Sequence, residues 1–287
     1  MPEAVVRGVH INYEIIGTSG PFIALTPGSR RPYDELINLS KAIAARGYRV
    51  LLHDRRNCGR SDVAFDGSAS EHEVWADDLH ALAKQVGADR LYVGGSSAGA
   101  RLAILFAIRH PQALRGLLLW RLTGGQHAVD KLSENYYGQY VKLAQAGGMQ
   151  AVANSEHFAE MIAARPSNRE RLLNTDVNQF IKVMNAWREA FLQSAKLPIV
   201  GATEAQLNAI HAPACLIAGN DVIHTPATAR KAAKLIPNSE LHEDVVVKRS
   251  DDNLLEEWDR KEWRDVEPRI AEIFGAFLKK AEAKAPA

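Results

Sequence analysis

Gly95-Ser96-Ser97-Ala98-Gly99 fits the spacing Gly-x-Ser-x-Gly, and the context of those five residues matters as much as their identities. The apolar run Leu91-Tyr92-Val93 leads into them through Gly94, and Ala98 to Arg109 follows with a helical pattern of small and apolar residues. A serine on so sharp a strand-to-helix turn stands exposed at the strand's end. Small residues two positions either side let the turn pack against neighbouring backbone. The helix start adds unpaired backbone N–H groups and a partial positive charge beside the hydroxyl, which suits a nucleophile whose adduct carries an oxyanion. The pattern therefore marks Ser97 as a nucleophile and the N–H of Ala98 as an oxyanion donor.

The elements that must hold this turn are legible on both sides of it. An opening hairpin is expected over Val5 to Gly17, broken at Gly8, followed by strands over Phe22 to Leu25, Tyr48 to His53, Gly116 to Leu122, Ala214 to Ala218 and Leu241 to Val247. Helical patterns over Asp34 to Arg46, His72 to Val86, Ala227 to Leu235 and Pro268 to Lys280 lie between or after them. Such alternation implies a mostly parallel sheet of about eight strands with helices on both faces. From His127 to about Ala205 the rhythm is helical only, with helices over Ser133 to Ala146, Gln150 to Ala164 and Val177 to Leu192 and a turn at Asn168 to Asn174. Met149, Met161, Met184, Tyr136, Tyr137 and Tyr140 fall there, as core fillers of a small helical unit. Residues 1–122 and 206–287 are thus expected to form the sheet core and 123–205 a helical cap, and the stretch Lys279 to Ala287 reads as frayed.

With the elbow inside this layout, the chain resembles the α/β-hydrolase superfamily over nearly its whole length. Its layout is similar to that of small capped hydrolases, including those that cleave C–C bonds in ring-fission products. Leu25-Thr26-Pro27-Gly28-Ser29 stands where the family has its oxyanion-hole loop, with proline where many members have histidine. The resemblance implies that a backbone N–H of Gly28 or Ser29 is the second oxyanion donor. Asp54-Arg55-Arg56-Asn57-Cys58-Gly59-Arg60-Ser61 looks like a modified form of the family's Asp-x-Arg-Gly-x-Gly-x-Ser segment. The resemblance also places the acid on the loop after the seventh strand, where Gly219-Asn220-Asp221-Val222-Ile223-His224-Thr225-Pro226 makes Asp221 the acid, one residue earlier than the commonest spacing.

The family's histidine is missing. It belongs on the loop after the last strand, which here reads Val247-Lys248-Arg249-Ser250-Asp251-Asp252, and no histidine follows His242. Serine then has no ordinary base near neutral pH. Three alternatives are open: His224 on the acid's own loop, His53 or His127 facing the pocket from elsewhere, or a broken triad.

Ligands of open α/β sheets bind beyond the strands' carboxyl ends, where Arg30, Arg31, Arg55, Arg56 and Arg121 fall. Guanidinium groups at one rim suit a small anionic substrate, a carboxylate above all, with Arg30, Arg31, Arg121 and His127 as its binding residues. The competing expectation is that several of them pair with Asp34, Asp54 or Asp62 and only hold loops. Trp258 and Trp263, in the charged stretch from Lys248 to Glu267, are expected to pack on the body.

Composition limits the partners. With 35 Lys and Arg against 34 Asp and Glu in 287 residues, the net charge is +1, and no basic stripe points to nucleic acid or an anionic membrane surface. Cys58 and Cys215 have neither disulfide-framework nor zinc spacing, so no metal and no cofactor are expected. No signal peptide or membrane-length apolar run is evident, and a cytoplasmic protein is expected, with a homodimer compatible with the cap's aromatic residues. The leading functional expectation is a serine hydrolase acting on an ester, an amide or a C–C bond next to a carbonyl. A lyase, decarboxylase or isomerase using the oxyanion hole and arginines is the first alternative, and a silent ligand-binding protein on the same scaffold is the second.

Overall fold

The computed structural model describes residues 2–250 and 252–284. Eight strands form one sheet: β1 (Glu3–Val6), β2 (Val9–Ile16), β3 (Phe22–Thr26), β4 (Arg49–His53), β5 (Leu91–Ser96), β6 (Leu114–Trp120), β7 (Ala214–Ile217) and β8 (Ser239–His242), in the order β1-β2-β4-β3-β5-β6-β7-β8. β2 is antiparallel to both β1 and β4, and every other pairing is parallel. Twelve α-helices are described: α1 (Ile37–Ala44), α2 (Glu71–Gln85), α3 (Ala98–Arg109), α4 (Gln126–Ser133), α5 (Gln139–Ala153), α6 (Glu156–Ala164), α7 (Ser167–Leu173), α8 (Val177–Leu192), α9 (Glu204–Asn208), α10 (Pro226–Leu235), α11 (Arg260–Asp265) and α12 (Glu267–Lys284).

Strict alternation along the central strands builds two cores from continuous apolar runs. Leu51 of β4, Val93 of β5, Leu117 and Leu119 of β6 and Leu216 of β7 face α2, α3 and α10, while Val50, Leu52, Tyr92, Leu118, Trp120 and Ile217 face α1 and α12. Both faces are covered, which is why these strands read as unbroken hydrophobic stretches. Helices α4 to α8 lie between β6 and β7 in sequence and enclose a third apolar cluster around Tyr137, Phe158, Phe180, Met184 and Trp187.

Some sequence-based boundaries moved for identifiable reasons. The strand expected over Leu241 to Val247 ends at His242, because β8 is an edge strand whose only neighbour, β7, stops at Ile217, paired with His242. Val245 and Val246 are nevertheless buried, as part of a loop packed into the core around Trp263. The break anticipated near Met149 is a bend at Gly147-Gly148 inside α5, and the next helix starts only after Ser155. The tail expected to fray is helix as far as Lys284, held where the Tyr92 hydroxyl donates to Glu282 (2.5 Å) and Lys280 pairs with Glu240 (2.9 Å). Its last three residues, like Asp251, lie outside the described residues. Among the described residues no helix is long and apolar enough to cross a membrane.

Candidate active site

Ser97 sits between β5 and α3 with φ 53° and ψ −111°, a conformation that L-residues avoid unless the surroundings impose it. The imposition comes from close backbone packing. A Cβ at Gly99 would lie 2.0 Å from the carbonyl oxygen of Thr26, and one at Gly95 2.5 Å from the same atom, so β3 and the first turn of α3 clamp the elbow from both sides. Ser29 (φ 44°) and Arg121 (φ 56°) are also left-handed, and all three line one cavity of about 330 Å³ at the carboxyl ends of the strands.

His224 closes the site. Its Nε2 lies 2.8 Å from Ser97 Oγ, and its Nδ1 lies 2.8 and 2.9 Å from the two carboxylate oxygens of Asp221. Acid and imidazole therefore share one loop, three residues apart, and the loop is wound so that they meet. Asp221 Oδ1 accepts the backbone N–H groups of Ile223 and His224 (both 3.0 Å), and the N–H of His224 also donates to the Asp221 carbonyl (3.1 Å). Thr225 then caps α10, accepting from the N–H of Thr228 (3.2 Å), with Pro226 at the first helical position. The carboxylate fixes the tautomer: Nδ1 carries the hydrogen, leaving the Nε2 lone pair directed at the serine. The guanidinium of Arg121 approaches the same Nδ1 at 3.2 Å, but that nitrogen has no free lone pair, so the approach is electrostatic only.

Gly219 makes this winding possible, a role the sequence did not disclose. A Cβ there would lie 2.1 Å from the carbonyl oxygen of His224 and 2.6 Å from its Cβ. Gly219→Ala is expected to push the imidazole off Ser97 and lower kcat by about 10²-fold or more, since misplacement by ~1 Å has that effect in a catalytic constellation. Steady-state kinetics beside the unaltered chain checks this.

Electrostatics favour a neutral imidazole. Burial first, and then the Arg121 cation, lower the pKa of His224 to about 4, outweighing the opposing pull of Asp221. Burial resists ionisation of Asp221, but its contacts with His224 and Arg121 prevail and hold its carboxyl below the ordinary range. Arg121 is itself buried, its pKa lowered to about 10 by desolvation, with its guanidinium 4.2 Å above the ring of Trp258 and 5.5 Å from that of Trp263. Its Nε has no partner.

The side of Ser97 where the sequence places the oxyanion donors is built from backbone. Gly28 packs so closely against the elbow that a Cβ there would lie 3.3 Å from Ser97 Cβ. Among the described residues no backbone carbonyl takes the N–H of Ser29, and Ala98 opens α3, where the first N–H groups have no partner within the helix. The Ser29 hydroxyl accepts from Tyr136 of the helical insertion (3.4 Å).

The other sequence-derived candidates fall in different places. Arg31 lines the cavity and pairs with Glu35 (3.1 Å), and Arg121 lines it as described. Arg30 does not: it is buried in a two-pronged pair with Glu71 (2.9 and 3.0 Å) among the rings of Tyr136, Tyr137 and Tyr140. His127 is exposed on α4 and is absent from the lining. His53 is sealed in the core with burial lowering its pKa to about 3, and it is absent from the lining of the cavity that holds Ser97. Arg55 stacks on Trp75 (4.5 Å) and donates to the Arg31 carbonyl (3.3 Å), while Arg56 grips Asp78 (2.6 and 2.7 Å). Of the five arginines expected at the rim, two line the cavity, Arg31 and Arg121, the latter 3.8 Å from an Asp221 carboxylate oxygen; carboxylates of α2 claim Arg30 and Arg56, and Arg55 is held on Trp75. Asp34, Asp54 and Asp62, the partners expected from sequence for loop-holding arginines, do not take these five. Instead Asp54 accepts the N–H groups of Tyr33 and Arg60, and Asp34 pairs with Arg60.

Residues the sequence did not single out for this cavity complete the wall. Glu35, Glu256, Glu257 and Glu267 give it a mixed charge, and Trp120 adds an apolar surface. Trp258 and Trp263 could have been suspected from their place in the segment that stands where the family carries its histidine. Cys58 is buried in its loop, and burial pushes its thiol up to about 12, so it is unreactive at neutral pH. The one His/Cys/acidic group close enough to share a metal ion among the described residues is Cys215, Glu240 and His242 on the sheet edge. The Lys280 ammonium already neutralises Glu240 there, and burial keeps the Cys215 thiol protonated.

Comparison with known proteins agrees with this architecture. The family model described as alpha/beta hydrolase fold matches residues 26–257. An uncharacterized hydrolase, YraK, from Bacillus subtilis (strain 168) is 30% identical over 149 residues, 48% of this chain and 54% of that protein. A proline iminopeptidase from Lacticaseibacillus rhamnosus (strain Lc 705) is 24% identical over 235 residues, 75% of this chain and 78% of that protein. Among solved structures, the meta-cleavage product hydrolase CumD from Pseudomonas fluorescens IP01 superposes with a TM-score of 0.66 at 16% identity, covering 98% of each chain.

Proposed function

Because the chain belongs to the alpha/beta hydrolase fold family, we propose that it is a serine hydrolase that cleaves a small carboxylate-bearing ester through an acyl-enzyme, with His224 as a relocated general base. The observation that carries this reading is the unbroken line Ser97 Oγ, His224 Nε2, His224 Nδ1, Asp221, each step within 2.9 Å. Ser97 gives its proton to Nε2 as its oxygen attacks the carbonyl carbon. The N–H groups of Ala98 and of Ser29 or Gly28 receive the developing oxyanion. The imidazolium, stabilised by Asp221, returns the proton to the leaving oxygen, and a water activated by the same Nε2 releases the acid. An amide or a C–C bond next to a carbonyl passes through the same oxyanion. The lyase reading drew on the absence of a base, and His224 removes that reason for it.

Arg121 supports the choice of a carboxylate. Its buried guanidinium is part of the cavity wall beside the imidazole, and Arg31 stands on the same lining. Four glutamates on that lining favour a second class, substrates with an amine, for which the iminopeptidase relative is a precedent by its name. Stopped-flow hydrolysis of 4-nitrophenyl hydrogen succinate, 4-nitrophenyl acetate and 4-nitrophenyl glycinate separates them. The expected result is a stoichiometric burst of nitrophenol, with the lowest KM for the succinate. Preference for the glycinate would transfer the specificity to the glutamates, and no burst or turnover with any of the three would remove the hydrolase reading.

The pH profile follows from the sign of the histidine's shift. The base acts only when neutral, and burial together with Arg121 disfavours the imidazolium, so kcat/KM is expected to rise through about pH 4 and then stay level across neutrality. Arg121→Gln removes the nearby cation and should move that acid limb to higher pH. A limb at 6.5 in the unaltered chain would show that the imidazole is not held in this environment.

A further inference from the structure

The loop expected to carry the second oxyanion donor is a tight turn, in which the N–H of Arg31 donates to the Gly28 carbonyl (3.3 Å) and Ser29 is left-handed (φ 44°). A serine stays in that conformation only where its surroundings impose it. The next residue shows what does so. Arg30 has no part in the cavity lining, because its guanidinium is drawn the other way, into the body of the protein. There its Nη2 reaches both carboxylate oxygens of Glu71 (2.9 and 3.0 Å), and the rings of Tyr136, Tyr137 and Tyr140 lie within 5.8 Å of its central carbon.

Glu71 is itself fixed. It opens α2, is only 1% exposed, and accepts from the Tyr137 hydroxyl (3.2 Å) and from the Asn57 amide (3.5 Å) as well as from Arg30. Tyr137 and its neighbour both turn inward because the chain between α4 and α5 makes a π-helical turn, Glu134–Gly138, in which the N–H of Gln139 donates to the carbonyl five residues back. Such a turn adds a residue to the helix, and it is found often at functional sites. Here it buries two consecutive tyrosines, and their hydroxyls go to Glu71 and to Ser29 Oγ (3.4 Å). Ser29 and Arg30 are therefore tied at adjacent positions to one connected group, whose only charged acceptor for Arg30 is Glu71.

We propose that Glu71 is a positioning residue for the oxyanion hole, acting through Arg30 to hold Ser29 in its left-handed turn with the N–H toward the substrate's carbonyl oxygen. The inference rests on the hydrolase reading and takes Ser29 as the second donor. Glu71→Gln alone leaves Arg30 buried without its counter-charge, which is enough to unfold a chain, so the deciding variant is Arg30→Met with Glu71→Gln. It removes cation and anion together, while the bond between Arg31 and Gly28 and the donation of Arg55 to the Arg31 carbonyl (3.3 Å) remain. The measurements are steady-state kinetics on whichever of the three nitrophenyl esters is hydrolysed fastest, and inhibition by 1,1,1-trifluorobutan-2-one. That ketone takes Ser97 Oγ onto its carbonyl carbon, the hydroxyl proton passing to His224, and leaves an oxyanion where the donors act. Donors that act on the oxyanion are felt in kcat and in the affinity of such an adduct, so kcat is expected to fall by about 10²-fold, Ki to rise in step, and KM to stay within about threefold. The acid limb should remain near pH 4, because the charges that act on His224 are those of Arg121, Asp221 and Arg101. A double variant with the kcat and Ki of the unaltered chain, or with a loss confined to KM, would overturn the proposal and leave the hydrolase reading standing. An acid limb displaced together with kcat would also overturn it, by tracing the loss to the base. No turnover of any ester by the unaltered chain would remove the hydrolase reading, and this inference with it.

Discussion

Ser97→Ala is expected to lower kcat/KM for a small activated ester by on the order of 10⁵-fold, with the thermal midpoint little changed. The hydroxyl supplies the atom that attacks the ester in the proposed mechanism, whereas the elbow's shape is set by Gly95, Gly99 and the Thr26 carbonyl, all of which the substitution leaves alone. The residual rate should exceed that in water, because backbone donors and binding still act on the carbonyl; a remnant of roughly 10³-fold is usual when only the nucleophile is lost. Kinetics at several enzyme concentrations and a thermal melt of both chains give the two numbers. Turnover within tenfold of the unaltered chain would mean that some other group attacks.

The histidine should matter nearly as much, and the pattern of losses is more informative than their size. His224→Ala removes the proton acceptor and is expected to lower kcat by about 10⁵-fold, while Asp221→Asn, which leaves the ring in place but lets it take the wrong tautomer, should reduce it by about 10⁴-fold. The two substitutions together should lower the rate little further than His224→Ala alone, since the acid acts only through the ring it orients. Full additivity would mean that Asp221 contributes by some other route. Asp221→Asn also disturbs the loop, because Oδ1 accepts two backbone N–H groups there, so circular dichroism should accompany the kinetics.

The parts of this site differ in how far the sequence revealed them. The elbow was readable because its requirements are local: a strand, two glycines, a serine and a helix start, all within a dozen residues. Asp221 could be placed by the loop after β7 that carries it. His224 could be named only as one of several imidazoles, since its direction depends on how residues 219–224 wind, and that winding turns on the missing Cβ of Gly219. The arginines depart from the sequence expectation for a different reason. Proximity to strand ends is legible, but the carboxylates that neutralise Arg30 and Arg56 come from Glu71 and Asp78 on α2, whose approach is a tertiary fact.

The proposed relocation of the base also has a physical logic. With the acid and the imidazole on one turn, their mutual placement no longer depends on β8, a four-residue edge strand, or on the loop that follows it. That loop is left to provide Trp258 and the tryptophan-lined seat of Arg121.

The measurement that bears most directly on His224 as the base of Ser97 is the rate of covalent modification by a fluorophosphonate, followed by mass spectrometry as a function of pH. A relocated base predicts stoichiometric labelling on Ser97, a rate that rises through about pH 4 to a plateau, and a loss of at least 10³-fold in His224→Ala. Labelling of His224→Ala at the rate of the unaltered chain, or a modified residue other than Ser97, would contradict it.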